Sequence, residues 1–301
     1  MTIAWIGVGN LATPIVERLV AAGETLVLCD VRPLPDLGAQ VAPDAATAAA
    51  EADIVFSTLP SDASFAAVAD TVFGAMKPDA VYCDMSTVSP RVSAEVAARA
   101  GERAYLRAPV SGTVGHARAG ALTVFASGPE AVLRRVEPVF AHFASAVHHV
   151  GAAEEARVVK LIVNNLVGAT AALLGESLAL GEKAGLDWSM MLDLMDSSAA
   201  ASPILKIKID PMKARDYRPA FTTDLMVKDL SLVVETARDL GCDTPMAETT
   251  LALMKAHARA GHGNEDYFGV VQTLEERAGM KAQQVGGSTG MRGSGGSSGA
   301  T

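Results

Sequence analysis

Lys160 and Asn164 stand four residues apart in a long unbroken helical pattern, so both side chains leave the helix on one face. An amine held beside an amide in this way can carry a proton to or from a substrate oxygen. It does so only if burial or nearby positive charge lowers its pKa toward neutrality. A solvated lysine beside a helical asparagine shows the same spacing. Ala108-Pro109-Val110-Ser111-Gly112-Thr113 follows an apolar strand and offers a hydroxyl and glycine-flanked N–H groups, donors suited to a carboxylate. An ordinary Ser-Gly turn has the same residues. Asp84-Met-Ser-Thr-Val-Ser-Pro90 follows another strand, and in an open α/β sheet such C-terminal strand ends face the ligand crevice. Thr87 is placed there to touch cofactor or substrate, while Ser89 before Pro90 reads as a helix N-cap. Lys228-Asp229-Leu230 lies inside an amphipathic helical stretch, where a charge pair is ordinarily a solvated face.

The elements that must position these groups begin at residue 2. The apolar strand Thr2–Ile6 runs into Gly7-x-Gly9-x-x-Ala12 and then into the helix-compatible segment Pro14–Ala22. Gly7 permits a tight turn, Gly9 lets a pyrophosphate approach the backbone, and small Ala12 lets the helix pack near the strand. The helix N-terminus turns free N–H groups and a positive dipole toward the phosphates. A second strand, Thr25–Cys29, ends in Asp30, about 20 residues beyond the glycines, as a ribose-binding carboxylate requires. This context implies a dinucleotide site at which Gly7, Gly9, Asn10 and Leu11 face the cofactor. Asp30 accepts hydrogen bonds from ribose hydroxyls and repels a 2′-phosphate, favouring NAD over NADP, whereas Arg32 would attract that phosphate.

Further strands are expected near Gln40–Val41 and at Ile54–Thr58, Val81–Asp84, Tyr105–Ala108, Leu122–Ala126 and Val147–Val150. Helical stretches lie between several of them, at Ala45–Ala52, Ser64–Met76, Pro90–Ala100 and Pro129–Phe143. This alternation is that of an α/β fold, a Rossmann-type doubly wound sheet. After Gly151 strand signals cease. Helices are expected at 154–184, Trp188–Ser198, Leu225–Leu240, Pro245–Ala260 and Tyr267–Ala278, an all-helical C-terminal domain. The chain therefore divides into a dinucleotide-binding domain at 1–153, a helical substrate and dimerisation domain at 154–285, and a Gly/Ser-rich flexible tail at 286–301.

Composition narrows the function classes. With 25 Lys plus Arg against 34 Asp plus Glu, the chain of 301 residues carries a formal charge of −9. A general nucleic-acid or anionic-membrane binder needs the opposite balance. Cys29, Cys83 and Cys242 have no metal-ligand spacing, and the first two sit near the ends of apolar strands as small core residues do. A reduced, cytoplasmic setting follows. No signal peptide is read at the N-terminus. The most apolar segment, Leu161–Gly175, contains Asn164 and Asn165 and is too short to span a bilayer. The six histidines lack ligand spacing with carboxylates or cysteines, so no metal site is read; His116, close to the Ser-Gly segment, is placed to border a pocket.

Taken in order, these segments resemble the β-hydroxyacid dehydrogenase family. The resemblance covers residues 1–280 and rests on Gly-Val-Gly-Asn-Leu-Ala-Thr-Pro at 7–14, Leu59-Pro60 and Asp-Met-Ser-Thr-Val-Ser-Pro at 84–90. It continues through Ala-Pro-Val-Ser-Gly at 108–112, Lys160-x-x-x-Asn164-Asn165 and Lys-Asp-Leu-Ser-Leu at 228–232. It implies an NAD(P)-dependent exchange between a small 3-hydroxy acid and its semialdehyde, with assembly as a homodimer or tetramer through the helical domain. By position it implies that Lys160 is the catalytic acid/base and that Asn164 orients substrate. Ser111 and Gly112 would hold the substrate carboxylate. Leu59, Pro60 and Thr87 would line the nicotinamide side, with Lys228 reaching the cofactor from the helical domain. An imine reductase and a non-catalytic nucleotide-binding scaffold share the architecture. Retention of Lys160 and Ser111 counts against the first, and the Lys160/Asn164 pair against the second. Three positions depart from the family pattern: Thr113 replaces a second glycine, Arg107 an acidic residue, and Glu154 a glycine. Arg107 is expected at the surface, the alternative being a second anion contact.

Overall fold

The computed structural model describes residues 1–280; the segment 286–301 expected as a tail lies outside them. The N-terminal half is one nine-stranded sheet. Its strands are β1 (Thr2–Ile6), β2 (Thr25–Cys29), β3 (Gln40–Val41), β4 (Ile54–Ser57), β5 (Val81–Asp84), β6 (Ala104–Arg107), β7 (Val110–Ser111), β8 (Leu122–Ser127) and β9 (Ala144–Gly151). They lie in the order β3-β2-β1-β4-β5-β6-β8-β7, with β9 also pairing β8. The run β3 to β6 is parallel, and β8 joins β6 and β7 antiparallel. Strand order reverses at β1, which sits between β2 and β4, and the crevice at such a reversal is where this fold class binds nucleotides.

Alternation along each strand feeds two cores. Ile3 and Trp5 of β1, Ile54 and Phe56 of β4, and Val81 and Cys83 of β5 point to one face. Ala4, Ile6, Val55 and Tyr82 point to the other. Helices α1 (Ala12–Ala21), α5 (Val114–Ala119) and α6 (Glu130–Phe140) contribute buried residues to the first core. Helices α2 (Ala45–Ala50), α3 (Asp62–Ala75) and α4 (Pro90–Ala100) contribute to the second. Trp5 stacks on Phe56 with ring centroids 4.8 Å apart, at the centre of the first layer.

The C-terminal half is helical: α7 (Glu155–Lys183), α8 (Trp188–Ser197), α9 (Pro203–Lys213), α10 (Thr223–Asp239), α11 (Pro245–His257) and α12 (Val270–Arg277). The 29 residues of α7 make it about 44 Å long. By length and composition the whole helix is apolar enough to cross a membrane, longer than the segment Leu161–Gly175 suggests. One side of it is nevertheless core, packed on α10, α11 and α12. Its glycines allow the close crossings: a Cβ on Gly181 would fall 2.1 Å from Met191 Sδ, and one on Gly175 2.9 Å from Leu274.

Strand β9 starts three residues before the expected Val147–Val150, the expected Tyr267–Ala278 helix opens as a 3-10 turn at Tyr267–Gly269, and three elements have no counterpart among those expected. Strand β7 is two residues long, too short for any period to register. Helix α5 has only six residues, fixed by Thr113 at its N-cap and left-handed Gly120 at its C-cap rather than by an apolar repeat. Helix α9 contains Ile-Leu-Lys-Ile-Lys-Ile, which alternates like a strand. Ser202 accepting the Leu205 N–H and Pro203 in the first turn start it as a helix instead.

Candidate active site

Lys160 projects from α7 one turn after that helix leaves the sheet domain. Its register is set three residues earlier by Arg157, which is wholly buried. The guanidinium donates to Asp84 Oδ1 at 2.7 Å, the Ser86 carbonyl at 2.7 Å, Tyr105 Oη at 3.0 Å and Ser93 Oγ at 3.1 Å. Asp84 in turn accepts from Ser57 and Ser86, and Ser86 Oγ accepts the Leu59 N–H at 2.8 Å. One buried network thus joins the start of α7 to the loops after β4 and β5. It ties the helix that carries Lys160 to the segments holding Leu59, Pro60 and Thr87.

Lys160 is half-buried, and its Nζ donates to Asn164 Oδ1 at 2.9 Å. Asn164, on the same face as the i, i+4 spacing requires, donates its Nδ2 to Asp229 Oδ2 at 2.5 Å. Buried Asp229 lies 2.7 Å from Lys228 Nζ, which also donates to the Thr87 carbonyl at 2.7 Å. A continuous polar chain therefore runs Lys160, Asn164, Asp229, Lys228, Thr87, across α7, α10 and the loop after β5. Lys228 is not the solvated surface charge its helix suggests. Burial pushes the Lys160 amine down to about 8; Asp229 opposes the fall and Lys228 adds to it.

At the glycine turn, Gly7 has φ +84°, and a Cβ there would lie 2.4 Å from the Thr58 carbonyl oxygen, so only glycine fits. Gly9 is open, with Arg32 Nη2 3.9 Å from its Cβ position. Leu11 is the N-cap of α1, and exposed Asn10 precedes it; the first-turn N–H groups of α1 receive no side-chain oxygen at the cap. Asp30 accepts the Val8 N–H at 2.8 Å and the Arg32 N–H at 2.9 Å. Burial works to raise its pKa, but hydrogen bonds from Arg32 and Val8 outweigh that and hold it below the usual carboxylate range. This turn, with a carboxylate at the end of β2 and an uncapped helix, fits a dinucleotide. Ser111 is the last residue of β7, half-buried, with β7 lying against α7. Gly112 has φ +137°, and a Cβ would meet Leu122 Cδ2 at 2.6 Å. Thr113 caps α5, and His116 returns the contact through its Nδ1. These two residues border a cavity of about 520 Å³ that α9 closes with Lys208 and Met212; Lys160 is not in its wall.

Two of the three departures from the family pattern prove to be partners. Arg107 is buried rather than at the surface, stacked over Tyr105 at 4.6 Å, and its guanidinium is paired with the Glu154 carboxylate. An arginine so neutralised is no second anion contact. The pairing spans 47 residues, and nothing in either local segment signals it. Two of the histidines meet a carboxylate that their spacing does not single out. His257, His262 and Glu265 converge, their ligand-capable atoms within 4.8 Å of one another. The turn at Gly261, φ +105°, brings them together, which spacing alone does not reveal. Cys29 and Cys83 are buried and unpaired as expected, and Ser89 is the N-cap of α4.

Comparison with known proteins covers both halves. The model for the NAD binding domain of 6-phosphogluconate dehydrogenase matches residues 2–151. The model described as NAD-binding of NADP-dependent 3-hydroxyisobutyrate dehydrogenase matches residues 155–274. 2-(Hydroxymethyl)glutarate dehydrogenase of Eubacterium barkeri is 31% identical over 289 residues, covering 92% of this chain and 96% of that protein. Among solved structures, 3-hydroxyisobutyrate dehydrogenase of Mycobacterium tuberculosis with L-serine matches with a TM-score of 0.81 at 30% identity, over 91% of this chain and 98% of that one. The 3-hydroxyisobutyrate dehydrogenase of Salmonella typhimurium matches with a TM-score of 0.83, also at 30% identity, over 91% and 99%.

Proposed function

The chain belongs to the β-hydroxyacid dehydrogenase family and is an NAD(P)-dependent oxidoreductase of small hydroxy acids and semialdehydes; from that premise we propose that it interconverts a small 3-hydroxy acid and its semialdehyde with Lys160 as acid and base. The observation that carries this reading is the Lys160 amine, drawn toward neutrality and aimed by Asn164 from the junction of the two halves. Bound nicotinamide supplies the hydride acceptor. In oxidation the neutral Lys160 amine takes the hydroxyl proton; in reduction its ammonium polarises the carbonyl and returns that proton. Asn164, fixed from behind by Asp229, keeps the amine in one rotamer. The Ser111 hydroxyl and the backbone beside Gly112 hold the substrate carboxylate. Leu59, Pro60 and Thr87 line the nicotinamide side. Gly7, Gly9, Asn10 and Leu11 take the pyrophosphate. Lys228 reaches the cofactor while bonded to the Thr87 carbonyl.

NAD is the favoured cofactor, because Asp30 presents its carboxylate at the end of β2 and occupies Arg32 with its own hydrogen bonds. Residues 1–153 form the cofactor unit and 154–285 the substrate and dimerisation unit. The working form is a homodimer joined through α7 and α8, and its setting is the cytoplasm, in keeping with buried, unpaired Cys29 and Cys83. The test follows absorbance of the reduced nicotinamide, with NAD and NADP, over small 3-hydroxy acids, their semialdehydes and a cyclic imine. Turnover of an acid or semialdehyde is expected, with Lys160→Ala losing about 100-fold or more of kcat while cofactor binding persists. Turnover of the imine alone, or full activity in Lys160→Ala, would overturn the assignment.

A further inference from the structure

His257 closes α11 and is wholly buried. Its Nδ1 meets Thr273 Oγ1 at 2.8 Å, whereas its Nε2 is buried with no partner. His262 lies parallel to it, ring centroids 4.5 Å apart and 10° between planes. His262 Nδ1 in turn faces Glu265 Oε2 at 3.0 Å without hydrogen-bond geometry. Two imidazole nitrogens and a carboxylate oxygen thus lie within 4.8 Å of one another, and His257 Nε2 and His262 Nδ1 each lack a hydrogen-bond partner. We propose that His257, His262 and Glu265 form a binding site for a divalent transition metal of the zinc type.

The surroundings have the features such a site requires. With Nδ1 as the donor to Thr273 Oγ1, His257 Nε2 keeps a lone pair for ligation, its second ring nitrogen anchored as in metal-bound histidines. Gln272 Nε2 donates to Glu265 Oε2 at 2.9 Å and so orients the carboxylate from outside. Gly269 keeps space open, since a Cβ there would come within 3.3 Å of His257 Nε2. The side chains of His262 and Glu265 are 21% and 39% exposed, so both can rotate inward to bonds of about 2.0–2.2 Å, and water can fill a fourth position. Two nitrogen donors select zinc, cobalt or nickel over magnesium or calcium, which prefer oxygen.

The ion would tie the end of α11 to the turn through residues 262–266. That turn holds the start of α10: Thr223 N–H donates to the Glu265 carbonyl at 2.8 Å and Asp224 N–H to the Gly263 carbonyl at 3.0 Å. Since α10 also carries Lys228 and Asp229, the site stiffens the base of the helix that supports Lys160 without touching the reaction.

The experiment uses the tag-free full chain, stripped with a chelator and titrated with zinc chloride, cobalt(II) chloride and magnesium chloride. Calorimetry is expected to show one zinc per chain, cobalt to develop the visible bands of a tetrahedral nitrogen–oxygen site, and zinc alone of zinc and magnesium to raise Tm. His262→Ala and Glu265→Gln alter half-exposed groups that a folded chain tolerates. Each should weaken zinc about tenfold or more, since loss even of an outer partner costs that much. No zinc binding by the parent chain, or undiminished binding in both variants, would overturn the site.

Discussion

A lysine in water is protonated at pH 7 and a poor base; Lys160 becomes a usable one because its surroundings disfavour the ammonium. Its pKa near 8 results from burial, the positive charge of Lys228 and the opposing charge of Asp229. Oxidation requires the free amine, so kcat/KM for the hydroxy acid should rise through about pH 8 and level above it. Reduction requires the ammonium, so kcat/KM for the semialdehyde should fall through the same midpoint. Asp229→Asn removes the charge that raises the pKa and should move both midpoints to lower pH. It also frees Asn164 and should cost about tenfold in kcat. Lys228→Met should move the midpoints upward. Initial-rate pH profiles in both directions are the measurement, and midpoints unmoved in both variants would remove Lys160 as the titrating group. At this scale the sequence reveals partners only when they are neighbours along the chain. Lys160 and Asn164 are legible as a pair because four residues make one helical face. Arg107 and Glu154, joined across 47 residues of chain, are not.

At the scale of elements, what turns Lys160 toward the sheet is the anchoring of α7 by Arg157. Arg157 and Asp84 have no exposed side-chain surface. Such a pair contributes little net stability relative to apolar residues of the same shape, but removing one partner strands a buried charge. Arg157→Met should therefore cost about 3–5 kcal/mol by leaving Asp84 unpaired. The double variant Arg157→Met/Asp84→Asn should recover part of that loss, and urea midpoints of the four proteins would show it. Strictly additive losses would mean the two residues act separately. Strands β1, β2 and β5 are legible to the residue because apolar runs that end at Gly7, Asp30 or Asp84 register even over a few positions; β3, two exposed residues, is legible only in its approximate place. The elements hidden in the sequence are those whose shape comes from caps or distant packing. Helix α5 depends on Thr113 and Gly120, and α9 carries a strand-like alternation that Ser202 and Pro203 override. The anchor on Asp84 is hidden for a related reason. An arginine three residues before a lysine reads as one more helical cation until the fold brings β5 beneath it.

For the whole molecule, the three cores leave one surface unexplained. On α7, Ile162, Leu166, Leu173 and Leu180 are 57%, 66%, 53% and 73% exposed, on the side turned away from α10, α11 and α12. Leu166, Leu173 and Leu180 are seven residues apart, the spacing that keeps a seam along one side of a helix. Leu186, Met190 and Leu194 extend the surface at and before α8, beside a groove lined by Leu180, Gly181 and Met191. Apolar patches of this extent mark a surface covered by a partner. A helix apolar on two sides looks, in sequence, like any buried helix, so the patch is invisible until the core has claimed one side. A second copy related by a two-fold axis would lay this stripe against its own counterpart and bury both, the self-complementary arrangement of a symmetric dimer. Sedimentation at micromolar concentration should then give a dimer or a dimer of dimers. Leu166→Glu/Leu173→Glu should dissociate it at the first level, because four carboxylates would meet across the axis without partners. Since the polar chain from Lys160 to Thr87 lies within one copy, the dissociated variant should keep its cofactor site while losing thermal stability. A parent chain that sediments as a monomer, or a glutamate variant that stays dimeric, would move the interface elsewhere and leave the stripe on α7 without an occupant.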